Sequence, residues 1–88
     1  FFKMDLHSCS FEHCHLEDVD FSESNMKNIE ILACDLRDAR FDHTNLNKAD
    51  FRGSENYSID PNNNNIIGAT FSALGVLGLL DVYDIIID

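Results

Sequence analysis

The sequence predicts an all-β fold in which the chain winds into a four-sided β-helical coil. The first observation is a strict period of five, because every fifth residue from Phe1 to Phe51 is large and apolar. An α-helix repeats its apolar positions about every 3.6 residues and a half-buried strand every second residue, so this period indicates a repeat architecture. The central positions are Phe1, Leu6, Phe11, Leu16, Phe21, Met26, Ile31, Leu36, Phe41, Leu46 and Phe51.

The second observation concerns the position two residues before each centre, which is mostly small and never charged. Two residues of each pentad therefore face inward and three face water, a pattern typical of a coil whose turns cover one another. Four pentads make a turn of twenty residues, and residues twenty apart then stack about 4.8 Å apart. The inward small positions are Met4, Cys9, Cys14, Val19, Ser24, Ile29, Cys34, Ala39, Thr44 and Ala49.

The chain divides into three segments. Residues 1–53 are predicted to form the repeat coils. Residues 54–71 are predicted to form a loop and a last partial coil, because Asp60-Pro61 and the four asparagines that follow are typical of turns. Residues 72–88 are predicted to form a C-terminal cap. Since the first coil begins in repeat phase without a cap of its own, we expect the chain to be the C-terminal part of a longer protein.

The cap is predicted to contain a helix over Ala73–Leu80, N-capped by Ser72, and a closing strand over Val82–Ile87. The helix has almost no polar side, so one face can cover the last coil while the other favours burial against a second copy. We therefore expect a homodimer through the tail, and a capping role alone is the alternative. The predicted dimerisation residues are Leu74, Leu77, Leu80, Tyr83, Ile85 and Ile87.

The repeats resemble the pentapeptide-repeat family in the stretches CSFEHCHLEDVDFSESNM and CDLRDARFDHTNLNKADFRGS. The family motif is a small residue, Asp or Asn, Leu or Phe, and two variable polar residues, which Ala39 to Phe41, Thr44 to Leu46 and Ala49 to Phe51 match closely. The resemblance implies a right-handed quadrilateral β-helix. The ending GATFSALGVLGLLDVYDIIID also resembles the members associated with quinolone resistance, in which a helix and a short strand close the coil and build a dimer.

Charge is the remaining indication of function. Sixteen acidic and six basic residues give a formal net charge of −10, which repels nucleic acid and anionic membranes and attracts proteins with basic grooves. Acidity that merely keeps a small protein soluble is the alternative. The twenty-residue register pairs Glu17 with Arg37, Asp20 with Arg40 and Glu23 with His43, whereas it stacks Asp18 on Asp38.

The family resemblance implies a non-catalytic DNA mimic that binds a type II topoisomerase, either gyrase or topoisomerase IV, and protects it from quinolones. The alternative function is a protein-interaction scaffold with an unknown partner, which could bind through one wall or through Leu32 and Ala33. Under the first hypothesis the residues that mimic phosphates are Asp18, Asp20, Glu23, Asp38 and Asp42.

Other classes of function find little support. A narrow coil packed with Phe and Leu offers no concave pocket, so we expect no enzyme activity and no cofactor. Cys9 and Cys14 fall on inward positions but His13 and His15 on outward ones, so they cannot converge on a metal ion. Cys14 and Cys34 should stack as free thiols, which suit a reducing cytoplasm. No apolar run reaches the length of a membrane span.

Overall fold

A computed structural model describes residues 2–83 and 85–86 and shows parallel pairing between segments twenty residues apart. Strand β1 (Ser10–Glu12) pairs in parallel with β2 (Glu30–Leu32), with Phe11 opposite Ile31. Every isolated bridge also joins residues twenty apart, from Asp5 with Asn25 to Asp50 with Thr70. The predicted register of twenty residues is therefore confirmed.

Regular strand is scarcer than an all-β fold predicts. Among the described residues only β1 and β2 are strands, of three residues each, and the other pairings are isolated bridges. The reason is the corner in every pentad, where one residue takes a positive φ and interrupts the extended backbone. The right-handed quadrilateral β-helix itself stays a prediction.

The corners recur with the period of the sequence. Hydrogen bonds such as those from Ala39 N to Leu36 O and from Ala49 N to Leu46 O, both 3.0 Å, close four-residue turns. The third residue of each such turn has positive φ, as a type II turn requires. The residues with positive φ at successive fifth positions are Lys3, Ser8, His13, Asp18, Glu23, Asn28, Ala33, Asp38, His43, Lys48 and Gly53.

The core consists of the columns that the register predicts. The Phe21 and Phe41 rings stack with centroids 5.2 Å apart, and Phe51 stacks on Phe71 at 5.4 Å. Small inward residues bridge the turns, since Ser54 Oγ donates to Ile31 O at 2.6 Å and accepts from Cys34 N at 3.0 Å. These bonds satisfy polar groups that would otherwise be buried without a partner.

The first turn is less buried than predicted. Met4 is 46% exposed and Cys9 is also exposed, although both occupy inward positions of the repeat. Among the described residues this turn packs against a neighbouring turn on one side only, which leaves its other edge open. Inward side chains of this turn are therefore buried unevenly, since Leu6 and Leu16 are buried there while Met4 and Cys9 are exposed.

The segment 54–71 interrupts the period and then resumes it. Tyr57 and Ile59 are buried in place of the expected fifth residues. Parallel pairing returns at Asn65 and Thr70. Within the asparagine run, Asn64 is part of the paired structure rather than of a free loop, because its Oδ1 accepts from Thr44 N at 2.9 Å and its Nδ2 donates to Phe41 O at 3.1 Å.

The tail differs from its prediction in helix type and extent. A 3-10 helix, here called the tail helix, spans Gly75–Tyr83 rather than Ala73–Leu80. Ser72 does not cap it through its side chain, because Ser72 Oγ accepts from Gly53 N at 2.8 Å, while the Ser72 carbonyl accepts from Val76 N at 2.9 Å. The start of the predicted strand, Val82 and Tyr83, belongs to the tail helix.

Of the rest of that predicted strand, residues 85 and 86 have no strand pairing, and Asp84 and Ile87 lie outside the described residues. The tail helix packs on the coil through two glycines. A Cβ at Gly75 would clash with the Tyr57 hydroxyl, and one at Gly78 with the Tyr57 carbonyl oxygen. A 3-10 helix aligns residues three apart, so both glycines face Tyr57. In the part of the chain that the structure describes, none of the helices combines the length and apolarity that a membrane span requires.

Candidate functional site

The column of Asp18 and Asp38 lies on an exposed wall of the coil. Asp18 N donates to Arg37 O at 3.0 Å, which places Asp18 beside the residue before Asp38 in the next turn. Both aspartates occupy corner positions, with φ of 62° and 59°, a conformation that Asp tolerates better than most residues. Neither carboxylate forms an ion pair within the described residues, so the predicted like-charge column is uncompensated.

The other predicted partner-binding residues are partly compensated. Asp20 lies 3.5 Å from Arg40, and its Oδ1 accepts from Ser22 N at 2.9 Å. Hydrogen bonds from Ser22, followed by the charge of Arg40, hold the pKa of Asp20 below its usual value. Asp42 Oδ1 lies 3.1 Å from His43 Nδ1, and Glu23 lies 4.0 Å from Lys3 Nζ.

Two of the three predicted charge pairs are wrong. Glu17 lies 3.2 Å from His15 and is not paired with Arg37, and Glu23 contacts Lys3 rather than His43. Both predicted partners stand twenty residues later in the chain, but each glutamate contacts a different base. Glu17 contacts His15, two residues earlier, and Glu23 contacts Lys3 in the preceding turn, whereas the prediction considered only the following turn. Only the pair of Asp20 with Arg40 is confirmed.

Two of the five predicted partner-binding residues line one open groove. Its volume is about 700 Å³, and Asp38 and Asp42 line it together with Arg40. Asp18, Asp20 and Glu23 do not line it. Asp60 does line it, although its place before Pro61 predicts only a turn residue. Its approach to Asp42 depends on the irregular path of residues 54–64, which no periodic pattern could have indicated.

A second cleft of about 620 Å³ lies between the coil and the tail helix. Tyr57 lines it and is 3% exposed, and its hydroxyl has no hydrogen-bond partner within the described residues. Burial raises the pKa of Tyr57 to about 12. Leu74 and Leu77 form part of the opposite side. The repeat pattern does not indicate this cleft, because Tyr57 stands one residue out of the five-residue phase.

The apolar residues predicted to dimerise form an exposed surface on the tail. Leu74 is 85% exposed, Leu77 41%, Tyr83 52% and Ile85 55%. Leu80 is half-buried, and Ile87 lies outside the described residues. Leu79, which was not predicted as a contact, packs against the coil core. The tail helix thus turns some of its apolar side chains inward and leaves others in water.

The cysteines and histidines do not gather into a metal cluster in the part of the chain that is described. Cys14 and Cys34 are neighbours across adjacent turns, because Cys14 N donates to Cys34 Sγ at 3.4 Å. Cys34 is buried, Cys14 is half-buried and Cys9 is exposed, and all three are free. Burial raises the pKa of the Cys34 thiol. His13 and His15 lie on the outer surface.

Comparison with known proteins agrees with the repeat geometry. The family model described as Pentapeptide repeat region matches residues 4–77, which is most of the 88-residue chain and includes the irregular segment and the start of the tail helix. No curated protein matches the chain.

Proposed function

The chain belongs to the pentapeptide-repeat family, and on that premise we propose that it is a right-handed quadrilateral β-helix that binds a protein partner through an acidic wall. Two observations support the β-helix. Parallel bridges join residues twenty apart along the coil, and positive-φ corners recur every five residues. Four corners in each turn of twenty residues correspond to four sides.

The general function is that of a protein-interaction scaffold. Repeat coils of this kind present extended outer walls rather than an enclosed pocket, and the family is generally non-catalytic. The groove beside Asp42 and the cleft beside the tail helix are both open at the surface. A partner would therefore meet side chains displayed at regular spacing on a stiff support.

We further propose that this scaffold is a DNA mimic for gyrase or topoisomerase IV that protects the enzyme from quinolones. The observation that carries this proposal is the exposed column of Asp18 and Asp38, neither of which forms an ion pair within the described residues. Ten net negative charges over a longest dimension of 37 Å give roughly one charge per 4 Å, compared with one per ~1.7 Å in duplex DNA. A basic DNA-binding groove would attract such a surface.

A gyrase supercoiling assay with and without ciprofloxacin tests this function. The unaltered chain should inhibit supercoiling at micromolar concentration and reduce quinolone-induced cleavage. The double variant Asp18→Asn/Asp38→Asn should lose roughly tenfold in potency, because clustered charge raises association rates by an order of magnitude or more. Asn also tolerates the positive φ of these corners, so the fold should be kept.

The matched control is Glu12→Gln/Glu30→Gln, which removes two exposed charges from a different wall. It should retain most of the potency. If the unaltered chain neither inhibits nor protects either enzyme, the topoisomerase proposal is wrong and the scaffold binds another class of protein. The exposed Ala33 and half-buried Leu32 are then the first residues to test.

We also propose that two copies associate through the exposed apolar residues of the tail. Leu74→Glu places a charge on a side chain that is 85% exposed, so it should leave the single chain folded but separate the copies. Ile67→Glu is the control, because Ile67 is 74% exposed and belongs to the coil rather than to the tail helix. Sedimentation equilibrium should give a dimer for the control and a monomer for Leu74→Glu. An equal mass for both would remove the tail interface.

A further inference from the structure

Two cysteines face each other across neighbouring turns of the coil. Cys14 and Cys34 stand twenty residues apart, and each immediately precedes one member of the parallel bridge between His15 and Asp35. Asp35 N donates to Cys14 O at 3.2 Å, and Cys14 N donates to Cys34 Sγ at 3.4 Å. Paired parallel residues lie about 4.8 Å apart, which is within the ~4.4–6.8 Å that separates the Cα atoms of disulfide-bonded cysteines.

Only weak bonds hold the two thiols in their present positions. Cys14 Sγ donates to Glu12 O at 3.4 Å, and Cys34 Sγ donates to Leu32 O at 3.4 Å. A thiol is a poor hydrogen-bond donor, so a rotation about the Cα–Cβ bond of Cys14 sacrifices little. Such a rotation can turn Cys14 Sγ toward Cys34 Sγ, which already lies beneath the Cys14 backbone.

The two cysteines differ in solvent exposure, and this difference determines which thiol reacts first. Cys14 is half-buried and can be reached from solvent, whereas Cys34 is only 1% exposed. A small oxidant therefore meets Cys14 first, and the buried thiol acts second. Cys9 is exposed but stands one pentad before Cys14 in the same turn, and the residue twenty positions after it is Ile29 rather than a cysteine.

We propose that Cys14 and Cys34 form a disulfide that joins the first two turns of the coil when the chain meets a low-molecular-weight disulfide. The Cys14 thiolate attacks one sulfur of the oxidant and expels a thiolate, giving a mixed disulfide on Cys14. The Cys34 thiolate then attacks Cys14 Sγ and expels the second small thiolate. The two protons lost by the cysteines end on the two released thiols, and the oxidant takes up the two electrons.

This modification acts on the wall that carries the acidic column. The residues it joins lie four positions before Asp18 and Asp38, in the same two turns. The bond would join residues twenty apart and restrict the unfolded chain, so oxidation should stabilise the folded form of these turns. The inference depends on the pairing of the turns and not on the identity of any partner, so it stands or falls separately from the topoisomerase proposal.

The test treats the full chain with oxidised glutathione and maps its proteolytic peptides by mass spectrometry. The expected product is an intramolecular Cys14–Cys34 link, two mass units below the reduced chain, with a melting temperature higher by roughly 10 °C. Cys14→Ser should show no such shift. It should still fold, because serine occupies the equivalent inward positions at Ser24 and Ser54.

Cys9→Ser is the matched control and should oxidise and gain stability as the unaltered chain does. The proposal is overturned if the link involves Cys9, if glutathione remains attached to Cys14 as the final product, or if the linked chain melts at the same temperature as the reduced one. The peptide map of the unaltered chain decides the pairing even if a variant were to unfold.

Discussion

At the scale of single residues, Tyr57 shows how a side chain outside the repeat phase can organise its surroundings. Its ring lies 5.6 Å from Phe51 and 5.8 Å from Phe71, between the last two turns. The same residue contacts Gly75 and Gly78 of the tail helix. The aromatic contacts favour this position, but the buried hydroxyl has no partner within the described residues, which costs about 1–3 kcal/mol.

Tyr57→Phe removes that cost. At neutral pH we expect the variant to be as stable as the unaltered chain or more stable by about 1 kcal/mol, as measured by urea unfolding. A loss of more than about 1 kcal/mol would mean that the hydroxyl is satisfied after all.

The raised pKa of Tyr57 adds a pH dependence. The folded protein holds the phenol proton up to a pKa of about 12, whereas the unfolded chain releases it near 10. The stability contributed by Tyr57 is therefore complete below pH 10 and is lost as the pH rises toward 12. Between pH 9 and 11 the free energy of unfolding should fall by roughly 1–2 kcal/mol more in the unaltered chain than in Tyr57→Phe. Equal falls would contradict the burial of the phenol.

Residue contacts were only partly predictable. The column of Asp18 and Asp38 follows from the period alone, because both residues occupy the same position of the repeat. The contact of Glu17 with His15 does not follow from the period. A long exposed side chain can pair with several bases, and the free energies of these pairs differ by less than about 1 kcal/mol. The period therefore predicts the backbone position of a residue, but the side-chain rotamer determines which partner it contacts.

At the scale of elements, the corner is the part of the pentad that residue type indicates least, because the positive-φ positions carry many different residue types. Ala33 occupies a corner with φ of 54°, in the left-handed region that an L residue enters at a cost. The corner twenty residues later is Gly53, with φ of 76°. Ala33→Gly should therefore raise the free energy of unfolding by about 0.5–1 kcal/mol.

The control for this prediction is Ala39→Gly. Ala39 is buried and does not have a positive φ, so glycine there should lower the free energy of unfolding by about 1 kcal/mol. Chemical denaturation of both variants gives the comparison. If Ala33→Gly destabilises the chain as much as Ala39→Gly, the corner conformation at residue 33 is not the one described.

In the tail helix, glycine is required for close packing rather than for a positive φ. Alanine in place of glycine usually stabilises a helix by ~0.5–1 kcal/mol, but a Cβ at Gly78 would overlap the Tyr57 carbonyl. Gly78→Ala should therefore cost about 1–3 kcal/mol in urea unfolding. Asp81→Ala, at an exposed position of the same helix, should change the stability by less than about 0.5 kcal/mol. A stabilised Gly78→Ala would show that the tail helix does not pack on Tyr57.

The helix was predictable in place but not in form. Ala73–Leu80 is apolar throughout, so no polar side marked which face would meet the coil. The sequence shows the three-residue spacing of Gly75 and Gly78. That spacing does not by itself indicate a packing face, because the contact of both glycines with Tyr57 depends on the tertiary structure. Tertiary contact thus selected the 3-10 form and extended the helix to Tyr83, where a strand was expected.

At the scale of the whole molecule, the register of twenty residues connects the repeat, the core and the acidic wall. It follows from a period of five residues and four corners in each turn, and it places Phe21 on Phe41 and Asp18 beside Asp38. The irregular path between Gly53 and Asn65 could not be predicted, because its residues carry turn chemistry without a period. That path brings Asp60 to the groove and Tyr57 to the cleft.

Long-range NOE contacts in the intact, isotope-labelled chain would test this register most directly. The account predicts contacts between the rings of Phe21 and Phe41, and between backbone protons of residues nineteen to twenty-one apart along residues 4–70. A continuous series of helical contacts between residues four apart in that range, or rings of Phe21 and Phe41 without mutual contact, would contradict it.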